Sequence, residues 1–105
     1  MKDFRRSQEE IQEAEHMFDE LVWWQRHQVL LEKIKDGRVI VAKPGTAQNE
    51  VDPDILEGAK ESARKVEAKY PEECKLLTDW EFGYLSGHLA TLRWVMGEDW
   101  DELYT

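Results

Sequence analysis

The sequence is poor in several features that would narrow its function. Its 105 residues include one cysteine, three prolines and six glycines. The lone cysteine, Cys74, has no partner for an intramolecular disulfide, which predicts a reducing compartment. No apolar run approaches the length of a membrane span, and the first residues lack the apolar segment of a signal peptide. We therefore expect a cytoplasmic protein without membrane attachment, formed by a single helical domain over residues 1–105.

Cations are also scarce. Fourteen Lys and Arg residues stand against 23 Asp and Glu residues, and the net charge is −9. Non-specific binding of nucleic acid needs clustered cations on the phosphates, so this composition argues against it. The acidity is greatest at the end of the chain, where residues 78–105 hold one Arg against six carboxylates, a net charge of −5. Such an end is attracted to a basic surface.

The helix start and stop signals and the helical spacing of apolar residues predict an all-α fold around a single core. The first helix begins at Ser7 and Glu10, which have capping-box spacing, and ends before Gly37, which suits a left-handed cap. Asp52 and Pro53 open the second helix as N-cap and first helical residue. The predicted helices cover about residues 8–36, 53–70 and 79–96, with a short turn after the third.

The third helix has similar end signals and two internal glycines. Thr78 and Glu81 have capping-box spacing, and Gly97 is placed to end the helix. Gly83 and Gly87 lie within it, where each glycine costs about 1 kcal/mol relative to alanine. Close approach of a neighbouring helix would offset this cost, so we expect tight packing at both positions.

Residues 38–51 join the first two helices. Val39, Ile40 and Val41 form a short β-branched run, and the chain offers it no evident strand partner. Because an isolated strand is unstable, we interpret this segment as an extended connector. Pairing of the run with a second copy of the chain is the alternative.

Tryptophan is abundant, with five in the chain, more than one small helical core can hold. Most should lie in the core or at its edge, and one or two are candidate anchors at a protein interface, where Trp is enriched. The acidic end, residues 78–105, contains three of them. The candidate residues for binding a protein partner with a basic surface are Trp94, Asp99, Trp100, Asp101 and Glu102.

The length of the first helix predicts a homodimer. An unbroken helix of about thirty residues would span about 45 Å, against about 25 Å for each later helix. Its overhang would expose an apolar stripe unless a second copy covered it, and a kink would remove this argument. The candidate dimer residues are Phe18, Leu21, Trp23, Trp24 and Leu30.

Catalytic patterns are weak. Glu13 and His16 match the Glu-x-x-His element of carboxylate di-iron bundles, but the chain has no second copy of that element. It also lacks a triad signature and a glycine-rich phosphate loop, so we expect no catalytic residue, metal or other cofactor. The remaining enzyme hypothesis is a Mg²⁺-dependent phosphate-ester hydrolase on the first helix. Its candidate ligands are Glu13, His16 and Glu20.

Part of the chain resembles a known group of proteins. The residues that carry the likeness are Trp80-Glu81-Phe82-Gly83, Gly87, the run from Leu92 to Gly97, and Trp100-Asp101. This pattern resembles the C-terminal half of small helical bacterial and phage-type proteins of unknown function, over residues 55–105. The resemblance implies a stand-alone small protein and transfers no site residue, cofactor or partner.

The leading functional prediction is a small acidic protein-interaction module without catalysis, of a regulatory or inhibitory kind.

Overall fold

The computed structural model describes residues 5–100. Its elements, in chain order, are α1 (Gln8–Lys35), β1 (Ile40–Val41), β2 (Glu50–Val51), α2 (Pro53–Lys69) and α3 (Asp79–Val95). The predicted all-α class with three main helices is confirmed, and each helix ends within one residue of its predicted bounds. In this part of the chain, no helix combines the length and the apolar character needed to cross a membrane.

Reciprocal capping bonds begin two of the helices. The Glu10 amide donates to the Ser7 hydroxyl, and the Ser7 amide donates to the Glu10 carboxylate, both at 3.1 Å. The bond from the Ser7 amide is the main reason that the pKa of the Glu10 carboxyl lies below its usual value. Thr78 and Glu81 form the same pair before α3, at 3.2 and 2.9 Å. These bonds fix each first turn because they satisfy amides that a helix leaves unpaired.

The other predicted helix ends are also present. Asp52 caps α2 by accepting from the Asp54 amide at 2.8 Å, and Pro53 takes the first helical position, where no donor is needed. Gly37 after α1 and Gly97 after α3 have φ values of 83° and 106°. Glycine adopts this left-handed conformation without strain, so both helices end where the sequence indicated.

The segment between α1 and α2 contains a pair of strands. β1 and β2 lie parallel, with Ile40 opposite Glu50 and Val41 opposite Val51. The prediction that the β-branched run lacks a strand partner in its own chain is therefore wrong. Two residues are too few to form a recognisable strand pattern, so β2 has no signal in the sequence.

The loop between these strands contacts the start of α2 at Gly45. This glycine has a φ of 71°, and a Cβ atom there would lie 2.5 Å from the backbone nitrogen of Asp52. That space admits only glycine. The turn is thereby held against the N-cap of α2.

Packing divides the chain into two compact units. One contains α1 up to Val22 together with α3, and the other runs from Trp23 to Leu76. The prediction of one domain with one core stays a prediction. In the first unit Leu21, Val22 and Leu89 are buried.

Trp24 is at the centre of the second unit. Its indole N–H donates to the Glu67 carboxylate at 2.9 Å, which gives a buried donor the acceptor it needs. Gln25 beside it is also buried, and its side-chain amide donates to the carbonyl of Lys75 at 2.6 Å. The apolar cluster consists of Trp24, Ala63 and Val66, with Tyr70 and Cys74 packed against it.

Each half of α1 packs against a helix of its own unit. In the first unit, the Phe18 ring meets His88 of α3 edge-on, with centroids 5.4 Å apart. In the second, Trp24 packs on α2. Leu21 and Trp24 are each 6% exposed within their own chain, so their side chains offer little area to a second copy, and the α1 dimer stays a prediction. The other three candidates differ: Phe18 and Leu30 are partly buried and Trp23 is exposed.

Candidate interaction surface

The solvent face of α3 carries no charge over most of its length. Trp80 and Tyr84 are 74% and 60% exposed, and Trp94 and Val95 are 48% and 51% exposed. In a chain in which 35% of residues are charged, this is an unusual helix surface. We call it the uncharged face; it consists of Trp80, Gly83, Tyr84, Gly87, Thr91, Trp94 and Val95.

Aromatic rings are stacked along this face and beside it. Trp80 and Tyr84 lie nearly parallel with centroids 5.3 Å apart, and Tyr84 lies 4.4 Å from the His88 ring. His88 in turn meets Phe18 of α1. The exposed rings are thus supported from within their own unit, so they are held in place for contact with a partner.

The glycines of the uncharged face border open space. A Cβ atom added at Gly83 or Gly87 would meet nothing within 4 Å. The prediction that a neighbouring helix packs tightly on them is therefore wrong. The Thr91 hydroxyl, one turn further on, donates to the carbonyl of Gly87 at 2.9 Å and so presents its methyl side as a small surface.

A second aromatic stack lies at the end of α3. The Trp94 and Trp100 rings are nearly parallel, with centroids 5.0 Å apart, and Trp100 is 54% exposed. Glu98 and Asp99 between them are exposed. The structure thus brings together three of the predicted partner-binding residues, Trp94, Asp99 and Trp100. The other two, Asp101 and Glu102, lie outside the described residues.

Arg93 neutralises part of the acidity of this region. Its guanidinium donates to Asp19 of α1 at 2.7 Å and lies 3.8 Å from carboxylate oxygens of Glu15 and Glu98. The Arg93 side chain is only 20% exposed, and it is the one cation of residues 77–100. This cluster has no signal in the sequence, because Asp19 and Arg93 are 74 positions apart and form no local pattern.

The acidic side chains of α1 do not form the metal site of the enzyme hypothesis. His16 pairs with Glu20 at 3.1 Å, while Glu13 is exposed. Within residues 5–100, no group of three or more His, Cys, Asp or Glu side chains is placed to hold a metal ion. Glu15 and Asp19 face Arg93 instead. The geometry thus gives no support to a magnesium-dependent hydrolase on this helix.

His27 belongs to the interior of the second unit. It is 5% exposed and stacks on Trp23, with ring centroids 5.2 Å apart. Burial lowers the pKa of His27 because it disfavours the imidazolium ion. The negative charge of Glu67 opposes this shift, and the positive charge of Lys60 adds to it.

No protein-family model, no curated protein and no solved structure matches the chain. The likeness to small bacterial and phage-type proteins stays a prediction. The surface of α3 and the residues after it are therefore the features from which a function can be inferred.

Proposed function

We propose that this protein is a small acidic interaction module, without catalysis of its own, that binds a partner with a basic surface. The contact is made by the end of α3 and the residues that follow it. The observation that carries this proposal is the half-exposed stack of Trp94 on Trp100 beside two exposed carboxylates, Glu98 and Asp99.

The stack suits a cationic side chain. An arginine of the partner can lie against an indole face while it pairs with a neighbouring carboxylate, an arrangement worth about 0.5–2 kcal/mol from the cation–π contact alone. A partly buried tryptophan is also the commonest anchor of a protein interface. Because Trp94 already supports Trp100, binding orders little additional side chain.

The charge of the region favours a basic partner. Residues 78–105 carry a net charge of −5, and their one cation, Arg93, faces Glu15, Asp19 and Glu98. An acidic surface of this kind speeds encounter with a basic one and weakens as salt screens the charges. Binding should therefore fall steeply with ionic strength.

The test is affinity capture with chemical crosslinking, read out by mass spectrometry, at low and at physiological salt. Two variants alter the proposed contact: Trp100→Ala, and Asp99→Asn with Asp101→Asn. The matched control is Glu57→Gln with Glu72→Gln, which removes the same amount of charge from exposed positions elsewhere.

The expected result is a salt-sensitive partner that the control retains and both variants lose, with crosslinks to the end of α3. If the variants and the control retain the same partners equally, this end is not the binding surface. Capture of nothing at low salt would contradict the proposal as a whole.

A further inference from the structure

The uncharged face of α3 has an almost symmetric order about Gly87. Trp80 and Trp94 stand seven positions on either side of it, and Gly83 and Thr91 stand four positions on either side. In an antiparallel pair of α3 helices that cross at Gly87, Trp80 of each copy would lie opposite Trp94 of the other. The small residues Gly83 and Thr91 would also lie opposite one another. The face is thus complementary to itself under a two-fold axis.

We propose that the uncharged face binds the same face of a second copy, as an antiparallel α3 pair centred on Gly87. This goes beyond the proposed function, which concerns a different protein partner. It also places the dimer contact on α3 instead of the α1 residues that the sequence suggested.

Sterically, the face is suited to another helix. Gly83, Gly87 and Thr91 form a shallow track that lets a second backbone approach closely, as small residues do at tight helix crossings. Trp80 and Tyr84 border one end of the track, and Trp94 borders the other. The aromatic side chains supply contact area, and the glycines supply the space for the crossing.

The absence of charged side chains on this face also favours a second copy as its occupant. A partner that placed an unpaired charged side chain on this face would have to remove that charge from water, which costs free energy. The surface of the partner must therefore be uncharged as well. A second copy supplies such a face. The acidic residues at the two ends of α3, Asp79 and Glu81 in its first turn and Glu98 and Asp99 after its last residue, approach each other in an antiparallel pair. Screening these like charges with salt should therefore tighten the dimer.

The available area is sufficient for a modest dimer. From the full area of about 150–250 Å² for an aromatic side chain, the exposed parts of Trp80, Tyr84 and Trp94 offer about 400 Å² on each copy. Val95, Thr91 and the glycine backbone raise this to about 600 Å², or about 1,200 Å² for the pair, at the lower end of specific interfaces. We expect a dissociation constant in the micromolar range.

The decisive variant is Gly87→Leu. Within one copy a Cβ atom at this position meets nothing within 4 Å, whereas between two copies a leucine side chain would separate the crossing helices. The matched control is Gly58→Leu, at an exposed and equally open position of α2. Sedimentation equilibrium over a concentration series measures the association of each full-length protein.

The expected wild-type result is a reversible equilibrium between the 12.4 kDa chain and a species of twice that mass, tightened by salt. Gly87→Leu should raise the dissociation constant about 100-fold, while Gly58→Leu leaves it unchanged. A wild type that stays monomeric at high micromolar concentration, or forms larger aggregates, overturns the proposal. Equal behaviour of the two variants does so too. Because Gly87→Leu keeps Trp100 and its acidic neighbours, loss of the dimer and loss of a basic partner are separate results.

The orientation of the pair is tested by disulfide trapping in a Cys74→Ala background. Gly83→Cys and Thr91→Cys chains are oxidised separately and as a mixture. An antiparallel pair gives mainly the mixed disulfide, because the two positions face each other across the axis. Crosslinking of each variant to itself, without the mixed product, would show a parallel pair and overturn the arrangement.

Discussion

α2 and α3 have 17 residues each and begin at a side-chain cap, yet they expose different kinds of side chain to solvent. α2 buries Leu56, Ala63 and Val66 and exposes charged residues on its other side. α3 buries Leu89 and exposes tryptophan, tyrosine and glycine. Because α3 exposes a long uncharged face in addition to the side that packs within its own unit, that face is where a partner is to be sought.

The largest difference in the free energy of unfolding should be between alanine substitutions of two tryptophans. Trp24→Ala removes a buried side chain and its bond to Glu67, so the free energy of unfolding should fall by about 3–5 kcal/mol. Trp80→Ala removes a ring that is 74% exposed, and monomer stability should change by less than about 0.5 kcal/mol. Urea denaturation followed by circular dichroism, at concentrations below dimer formation, measures both. Similar losses would show that the α3 ring is needed for folding.

A smaller contrast should separate two arginines. Arg93→Gln leaves Asp19 and Glu15 without their shared cation, and we expect a loss of about 1–2 kcal/mol. Arg64→Gln breaks an exposed pair with Glu61 and should cost less than about 0.5 kcal/mol. Denaturation at low and high salt distinguishes the pairs, since the Arg93 effect should shrink but persist as salt rises. Equal effects would mean that the cluster acts only as a surface pair.

Replacing a glycine that borders open space with alanine should stabilise the protein in both helices. Gly58→Ala in α2 and Gly83→Ala in α3 should each raise the free energy of unfolding by about 0.5–1 kcal/mol, because alanine is the better helix former and a Cβ meets no neighbour. Thermal melts of dilute protein provide the measurement. Destabilisation by Gly83→Ala alone would mean that α3 packs more closely there than α2 does at Gly58.

The smallest effect concerns pH. Because burial lowers the pKa of His27 in the folded chain, the unfolded chain takes up a proton first as pH falls. The stability contributed by neutral His27 is complete above its unfolded pKa and is lost as pH falls toward the folded pKa. His27→Gln should therefore flatten the stability curve in mildly acidic solution. If the stability of the variant falls with pH as steeply as that of the wild type, other titratable groups cause the loss of stability in acid.

Local chemistry explains why the helices could be predicted. Ser7, Asp52 and Thr78 satisfy amides of the first turn, and Gly37 and Gly97 take the left-handed conformation after the last, so each end has its signal in adjacent residues. Helical spacing of apolar residues also predicts the buried stripe of α3, where Leu89 is buried and Phe82 and Leu85 are partly buried, although Met96 at the end of that stripe is 44% exposed. On α2 the same spacing places Ile55 at the edge of the apolar stripe, and its side chain is 69% exposed.

Contacts between residues that lie far apart in the sequence could not be predicted. The pairing of β1 with β2, the Arg93 cluster and the bond from Trp24 to Glu67 each join residues that no short pattern connects. The candidate site was predicted in part, because the acidic residues around Trp100 mark it in sequence. The stack of Trp100 on Trp94 and the exposure of Gly87 required coordinates.

The uncharged face of α3 also bears on how the protein behaves as a colloid. A particle of net charge −9 resists contact with its own kind because like charges repel. In the proposed α3 pair the two uncharged faces cover each other, and repulsion between pairs then limits further association. Removing the charge by acidification toward the isoelectric point near pH 4.8 takes away that limit, and concentrated solutions should then become turbid.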